Sequence, residues 1–485
     1  MRNILSFTVI LLFFGCYKIQ DEILSAPKVK NMPTNWGQVE YTDDYMINDF
    51  WPISSDSTLF YLLEDFNKGN EDILLLDINN MISETYHGIS MSNLYPEVSI
   101  SNSMTKAKQN LSAFGLSDDF LNSESSENGE DSGNQAQNQD TGGFITFSNS
   151  VRLNTLWELD LWGRIKDSKY SSYYKMQSDF YDTIYAKASL RGRFIKLYLQ
   201  AVSLNEEIKI YEKNLSNLLT LKEISEKRAL EGISGYDEIY LASSKYHLYE
   251  STIISLKYDY SKLVNQIELF SGSYLNNREQ LSYSSYPVNV ANLPSEISSN
   301  LLERRPDIVS SKNKIISNRL KVKSDKKIFF PRITFNTSAG YSSSELETIL
   351  REEFSVWSLG LNILTPIFNG GKIRKNIKIS EYNLKASELE YLKSAIFAIY
   401  EVDEIILKNN SLEKSYLKMS LSQEDIQKAL KYTLNSYELG LVDLAHVLNI
   451  QENLNSVSIQ KNRILLNRYL NRIDLILSLG GTFEY

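Results

Sequence analysis

Cysteine is all but missing: Cys16 is the single one in 485 residues. That excludes a disulfide framework and any thiolate metal cluster. The three histidines, His87, His247 and His446, lie far apart and match no metal-ligand spacing. Positive charge is also scarce. Lys and Arg number 51 against 60 Asp and Glu, a net charge of −9, so no basic field argues for a nucleic acid partner. Nine prolines and 21 glycines are too few for a collagen-like or globally disordered chain. No apolar run after Cys16 is long enough for a transmembrane helix, so any membrane span must be β. What the chain does have is 31 Tyr with abundant Ser and Asn, which suits surfaces touching both water and lipid headgroups.

Residues 1–15 carry one positive charge, Arg2, and an apolar run from Ile4 to Phe14, the length of a signal h-region. Gly15 precedes Cys16. The segment resembles a bacterial lipoprotein signal, with Cys16 as the lipid attachment site; it departs from that pattern at Phe13, where Leu is usual. An ordinary secretory signal with an incidental cysteine is the alternative. Residues 16–50 read as a polar tether.

Two kinds of periodicity fill the rest. Val98, Ile100 and Met104 alternate with serines, and Ile145, Phe147, Val151, Leu153, Trp157 and Leu159 alternate with polar residues that include Arg152, Glu158 and Asp160. Ile333, Phe335, Ala339 and Tyr341, then Trp357, Leu359, Leu361 and Ile363, repeat the pattern. This period of two predicts β-hairpins over about 96–161 and 329–369, apolar on one face. Glu158 and Asp160 are expected to share the strand face directed at an aqueous lumen. The stretch from about 111 to 143 is Ser, Asn, Gly, Gln and acid, a solvated loop. Helical periodicity runs from about 163 to 272 and again from about 371 to 480. Gly163, Gly232 and Gly272 recur as Gly371, Gly440 and Gly480, a constant offset of 208 residues. The chain is therefore a duplication. The first repeat spans 51–293 and the second 294–480, each with a helix, a β-hairpin and a long helical hairpin, leaving a tail at 481–485.

A helix from Gly163 to the break near Gly232 would be about 100 Å long, wider than any globular core, so it must pack lengthwise in a bundle. Four lipid-facing strands cannot close a barrel, and open edges are not tolerated in hydrocarbon. The chain must therefore oligomerise to close one. No nucleophile–base set, P-loop or phosphate cradle is present, which predicts a protein that is not an enzyme and has no catalytic residue, cofactor or metal site.

Five ordered motifs carry a family resemblance: WELDLWGRI at 157–165, LLERRPDI at 301–308, FFPRITFNTSAGY at 329–341, WSLGLNILTPIFNGGKIR at 357–374 and SYELGLVDLAHVLNIQENL at 436–454. The chain resembles the TolC family of outer-membrane efflux channels, in its lipoprotein branch. The resemblance implies an α+β membrane protein: a trimeric twelve-stranded β-barrel, four strands per chain, continued by a long periplasmic α-helical barrel. It implies a passive duct of a tripartite efflux system in the outer membrane. The partners would be two further copies, a periplasmic adaptor, an inner-membrane transporter of the resistance-nodulation-division type, and outer-membrane lipid. A type I protein-secretion channel shares the fold, and a periplasmic coiled-coil adaptor or scaffold lipoprotein is the other alternative.

The resemblance also implies that the helical-hairpin turns at Gly232 and Gly440 hold the periplasmic entrance and adaptor contact. Its residues would be Asp237 and Glu238 in the first repeat and Tyr437, Asp443, His446 and Asn449 in the second. Acidic residues are usual at the positions of His446 and Asn449, so the second repeat departs from the family pattern.

Overall fold

The computed structural model describes residues 57–110, 143–272, 303–348 and 351–481, together with Pro27, Tyr286 and the short segments 35–37 and 296–298. Cys16 and the polar stretch 111–142 lie outside the described residues. In chain order the elements are β1 (Asn35–Gly37), α1 (Ser57–Gly69), α2 (Glu71–Ser92), β2 (Glu97–Asn110) and β3 (Gly143–Leu159). There follow α3 (Arg164–Leu230), α4 (Tyr236–Phe270), β4 (Glu296–Ser298), α5 (Pro306–Lys326), β5 (Arg332–Ser343), β6 (Ser355–Leu364), α6 (Lys372–Glu438) and α7 (Leu444–Ser478).

The duplication is metrically regular. Helices α3 and α6 each have 67 residues, and α4 and α7 each have 35. Proline occurs nowhere inside these four helices, and Pro306 stands at the first position of α5, where its missing N–H costs nothing.

The chain divides into two compact units. One comprises residues 1–85, 173–317 and 383–485. Among the described residues it holds three apolar clusters. In the first, Phe66, Phe194 and Phe270 stack with centroids 4.6 and 5.4 Å from Phe66. The second gathers Ile308, Ile315, Ala398, Val402, Leu475 and Leu479. The third gathers Leu218, Ala242, Tyr437, Leu444 and Val447. Between the first two clusters the repeats use different chemistry for one joint. Asn70 Nδ2 donates to the Phe270 carbonyl at 2.7 Å. At the equivalent place Arg305 Nη1 donates to the Ser478 carbonyl at 2.9 Å, and Ser478 lies 208 residues after Phe270. Arg305 also grips both Asp307 carboxylate oxygens at 3.0 Å and reaches Glu401 at 2.7 Å. Burial works against the charged guanidinium, but these carboxylates outweigh it and hold its pKa above the ordinary value. The unit also contains a short β1–β4 ladder, Asn35–Gly37 in the segment that reads from sequence as a tether against Glu296–Ser298 at the start of the second repeat.

The other unit comprises residues 86–172 and 318–382. Its centre is an antiparallel sheet in the order β2-β3-β5-β6. The register aligns the apolar positions in rows: Ile100–Leu153–Ala339–Trp357, then Trp157–Phe335–Leu361, then Leu159–Ile333–Ile363. The opposite face aligns Ser99–Asn154–Ser338–Ser358. Among the described residues nothing covers the apolar face, with Ile100 76% and Trp357 79% exposed. One expectation needs correcting. Strand β3 ends at Leu159, so Asp160 is off the sheet; its carboxylate accepts from the Ile165 and Lys166 N–H groups and caps α3. Glu158 does stand on the polar face, but it pairs with Arg164 at 2.8 Å.

Candidate functional site: the helix turns and the polar sheet face

The α3–α4 and α6–α7 turns have the same backbone device. Gly232 (φ 71°) and Gly440 (φ 73°) adopt the left-handed conformation that ends a helix and that L side chains rarely take. The next N–H in each case closes back on the helix, Ile233 to the Arg228 carbonyl and Leu441 to the Ser436 carbonyl, both at 2.9 Å. What differs is the N-cap that follows. Gly235 caps α4 without a side chain, whereas the equivalent Asp443 accepts from the His446 N–H at 2.9 Å.

The candidate entrance residues divide into two groups. Glu238 and Tyr437 meet each other across 199 residues of sequence. The Tyr437 hydroxyl donates to Glu238 Oε2 at 2.9 Å, and the Leu444 N–H donates to Glu238 Oε1 at 3.3 Å. Glu238 therefore ties the first hairpin to both helices of the second, and its carboxylate sits at the positive N-terminal end of α7. Tyr437 is fully buried. Its hydroxyl lies 3.2 Å from Ser225 Oγ, and its ring lies 4.5 Å from the Arg228 guanidinium, which also donates to the Tyr437 carbonyl. Burial, reinforced by Glu238, pushes the Tyr437 pKa above the ordinary tyrosine range. By contrast Asp237, Asp443, His446 and Asn449 are exposed. Around them the turns also expose Leu230, Ile233, Leu439 and Leu441, each more than half accessible.

Sequence reasoning missed Ser225 and Arg228. They lie on α3 before the turn, and nothing in their local pattern marks them; the only signal is that Arg228 falls four residues before the glycine.

In the other unit, the polar face of the sheet borders a cavity of about 700 Å³ lined by Tyr95, Glu97, Glu158, Arg164, Arg332 and Thr334 among others. Two acids and two arginines among these residues make its lining polar and formally charge-neutral. No helix among the described residues is long and apolar enough to cross a membrane. Among the described residues no cluster of His, Cys, Asp and Glu is arranged to hold a metal ion.

Comparison with known proteins agrees with this geometry. The outer membrane efflux protein family model matches residues 297–481. The cation efflux system protein CusC of Escherichia coli K12 is 22% identical over 488 residues, covering 99% of both chains. The outer membrane lipoprotein SilC of Salmonella typhimurium, whose description is qualified as probable, is 22% identical over 69% of this chain and 71% of its own. The crystal structure of the Campylobacter jejuni CmeC outer membrane channel superposes with a TM-score of 0.78 at 21% identity, covering 97% of this chain and 93% of that one. Residues 297–481 thus match the outer membrane efflux protein family, and the chain, with the α+β fold of trimeric barrel channels, is an outer-membrane channel of an efflux system whose helical part lies in the periplasm.

Proposed function

We propose that the chain works as a passive duct made of three identical copies, with strand β2 of each pairing with β6 of the next. One observation carries this reading: a four-stranded sheet with a continuous uncovered apolar face and no further strand partner for β2 or β6 among the described residues. Hydrocarbon does not tolerate such edges, and three copies give twelve strands, within the range of bacterial barrels. The work of export then falls to an inner-membrane transporter, of the resistance-nodulation-division type, reached through a periplasmic adaptor. The adaptor contact is the pair of helix turns, where Leu230, Ile233, Leu439 and Leu441 offer apolar surface beside the exposed Asp237, Asp443, His446 and Asn449. Glu238 and Tyr437 hold the two turns in one arrangement rather than lining the passage.

Cys16 carries the lipid anchor in this reading. Labelled palmitate should appear on the wild type and disappear in Cys16→Ser; equal labelling of both would reject the anchor. The duct itself is tested in planar bilayers. Purified protein should give ohmic conductance without nucleotide or an ion gradient as fuel. Bilayers that stay sealed although the protein has inserted would contradict a passive channel.

A further inference from the structure

One face of the four strands is free of charge except at a single place. Lys106 and Lys108 are the only ionic residues on the apolar face of β2, β3, β5 and β6. Every other charged strand residue that alternation assigns, Glu97, Arg152, Glu158 and Arg332 included, belongs to the polar face. The register sets Lys106 opposite Phe147 and Lys108 opposite Ile145, both exposed apolar residues. Lys106 Nζ lies 5.0 Å from the centre of the Phe147 ring.

Their depth follows from strand geometry. From the Leu159–Ile333–Ile363 row to Asn149 is ten residues of β3. That is about 33 Å along a strand and about 25 Å along the membrane normal at a tilt of about 40°. This spans the apolar band of an outer-membrane barrel, about 25 Å tall. Lys106 and Lys108 lie about 5 and about 10 Å beyond it along the normal, at the ends of β2 and β3 that lead away from the helices. With the helical part in the periplasm, that end is the extracellular one. A lysine costs little at the interface and much at the midplane, so two lysines kept off the rest of the face and stacked along one strand edge mark a position where anions lie.

We propose that Lys106 and Lys108 form a binding site for the phosphate groups of the phosphorylated glycolipid in the outer leaflet. Acyl chains lie along the Ile100–Leu153 band, and the two ammonium groups take the headgroup phosphate, with Phe147 holding Lys106 in place. The site rests on the outer-membrane channel reading and adds a lipid partner to it.

The test uses the full-length protein in detergent, titrated with bisphosphorylated lipid A or with the same lipid stripped of phosphate, and read by native mass spectrometry. Wild type should retain the phosphorylated lipid and not the stripped one. Lys106→Gln/Lys108→Gln should lose affinity by roughly thirtyfold, the product expected of two lysines near an anionic surface. Lys106→Arg/Lys108→Arg should retain it. Equal binding by wild type and the Gln variant, or equal binding of stripped lipid, would overturn the site. So would weak wild-type binding that rises when residues 111–142 are deleted, because the lysines would then answer to that acidic loop. Bilayer conductance of the same samples separates the two readings: loss of lipid selectivity with conductance intact rejects the lipid site alone.

Discussion

Replacing Tyr437 by Phe removes one oxygen from the centre of the turn network and little else. The ring stays, so packing in the fully buried site and the Arg228 contact at 4.5 Å are kept. What is lost is the 2.9 Å hydrogen bond to the Glu238 carboxylate and the 3.2 Å contact with Ser225. A hydrogen bond to a charged group contributes about 1.5–3 kcal/mol. Glu238 is half-buried, so water replaces part of that, leaving about 1–2 kcal/mol, a factor of roughly 5–30 in the local opening equilibrium. Glu238 keeps its bond to the Leu444 N–H, so the helix α7 terminus loosens rather than unfolds. Hydrogen–deuterium exchange in detergent should show faster exchange of the peptide spanning 436–446 in Tyr437→Phe. A peptide spanning 308–320, in another apolar cluster, serves as control. Glu238→Gln keeps an acceptor without the charge and should fall between wild type and Tyr437→Phe. Unchanged exchange at 436–446, or an equal rise in both peptides, would refute a local brace.

Other perturbations have equally definite outcomes. Gly232→Ala meets no atom within 4 Å, so its cost is backbone strain alone, about 1–2 kcal/mol, read as a lowered midpoint of thermal unfolding. Arg305→Ala strands the Asp307 carboxylate and the Ser478 carbonyl; with the guanidinium nearly fully buried, a loss of about 3–5 kcal/mol is expected in denaturant unfolding. Burial pushes the Tyr469 pKa up to about 12. A raised folded pKa means that its contribution is intact below pH about 10 and lost as pH rises towards 12. Tyr469→Phe should therefore flatten the fall of stability over that alkaline window, measured by unfolding midpoints from pH 9 upward.

The sequence carried whatever was periodic or repeated. Alternation of Ile333, Phe335, Ala339 and Tyr341 announced β5, and glycines spaced by 208 residues announced both turns before any coordinate did. Those signals are local, or local twice over. The Glu238–Tyr437 bond is neither. It joins positions 199 apart, and the repeat offers no guide, because the partner of Glu238 by offset is His446, which is exposed. The shared task of Asn70 and Arg305 was hidden for a related reason: two unlike side chains perform it, so similarity of residue type could not reveal similarity of place. Asp160 was misplaced because a strand and the cap that follows it share the same alternation for one residue; only the register shows where the ladder stops. Lys106 and Lys108 were visible as residues, but their face became visible only through pairing with Phe147 and Ile145.

The claim on which the rest depends is that four strands of one chain become a closed barrel only by joining those of two others. Native mass spectrometry of the full-length protein, extracted in mild detergent without cross-linker, tests it directly. The expected species contains three chains, about 160–170 kDa of protein from a 55.7 kDa chain, with β signal in circular dichroism retained. A monodisperse single chain with the same β signal would contradict it, because the sheet would then be stable with both edges open.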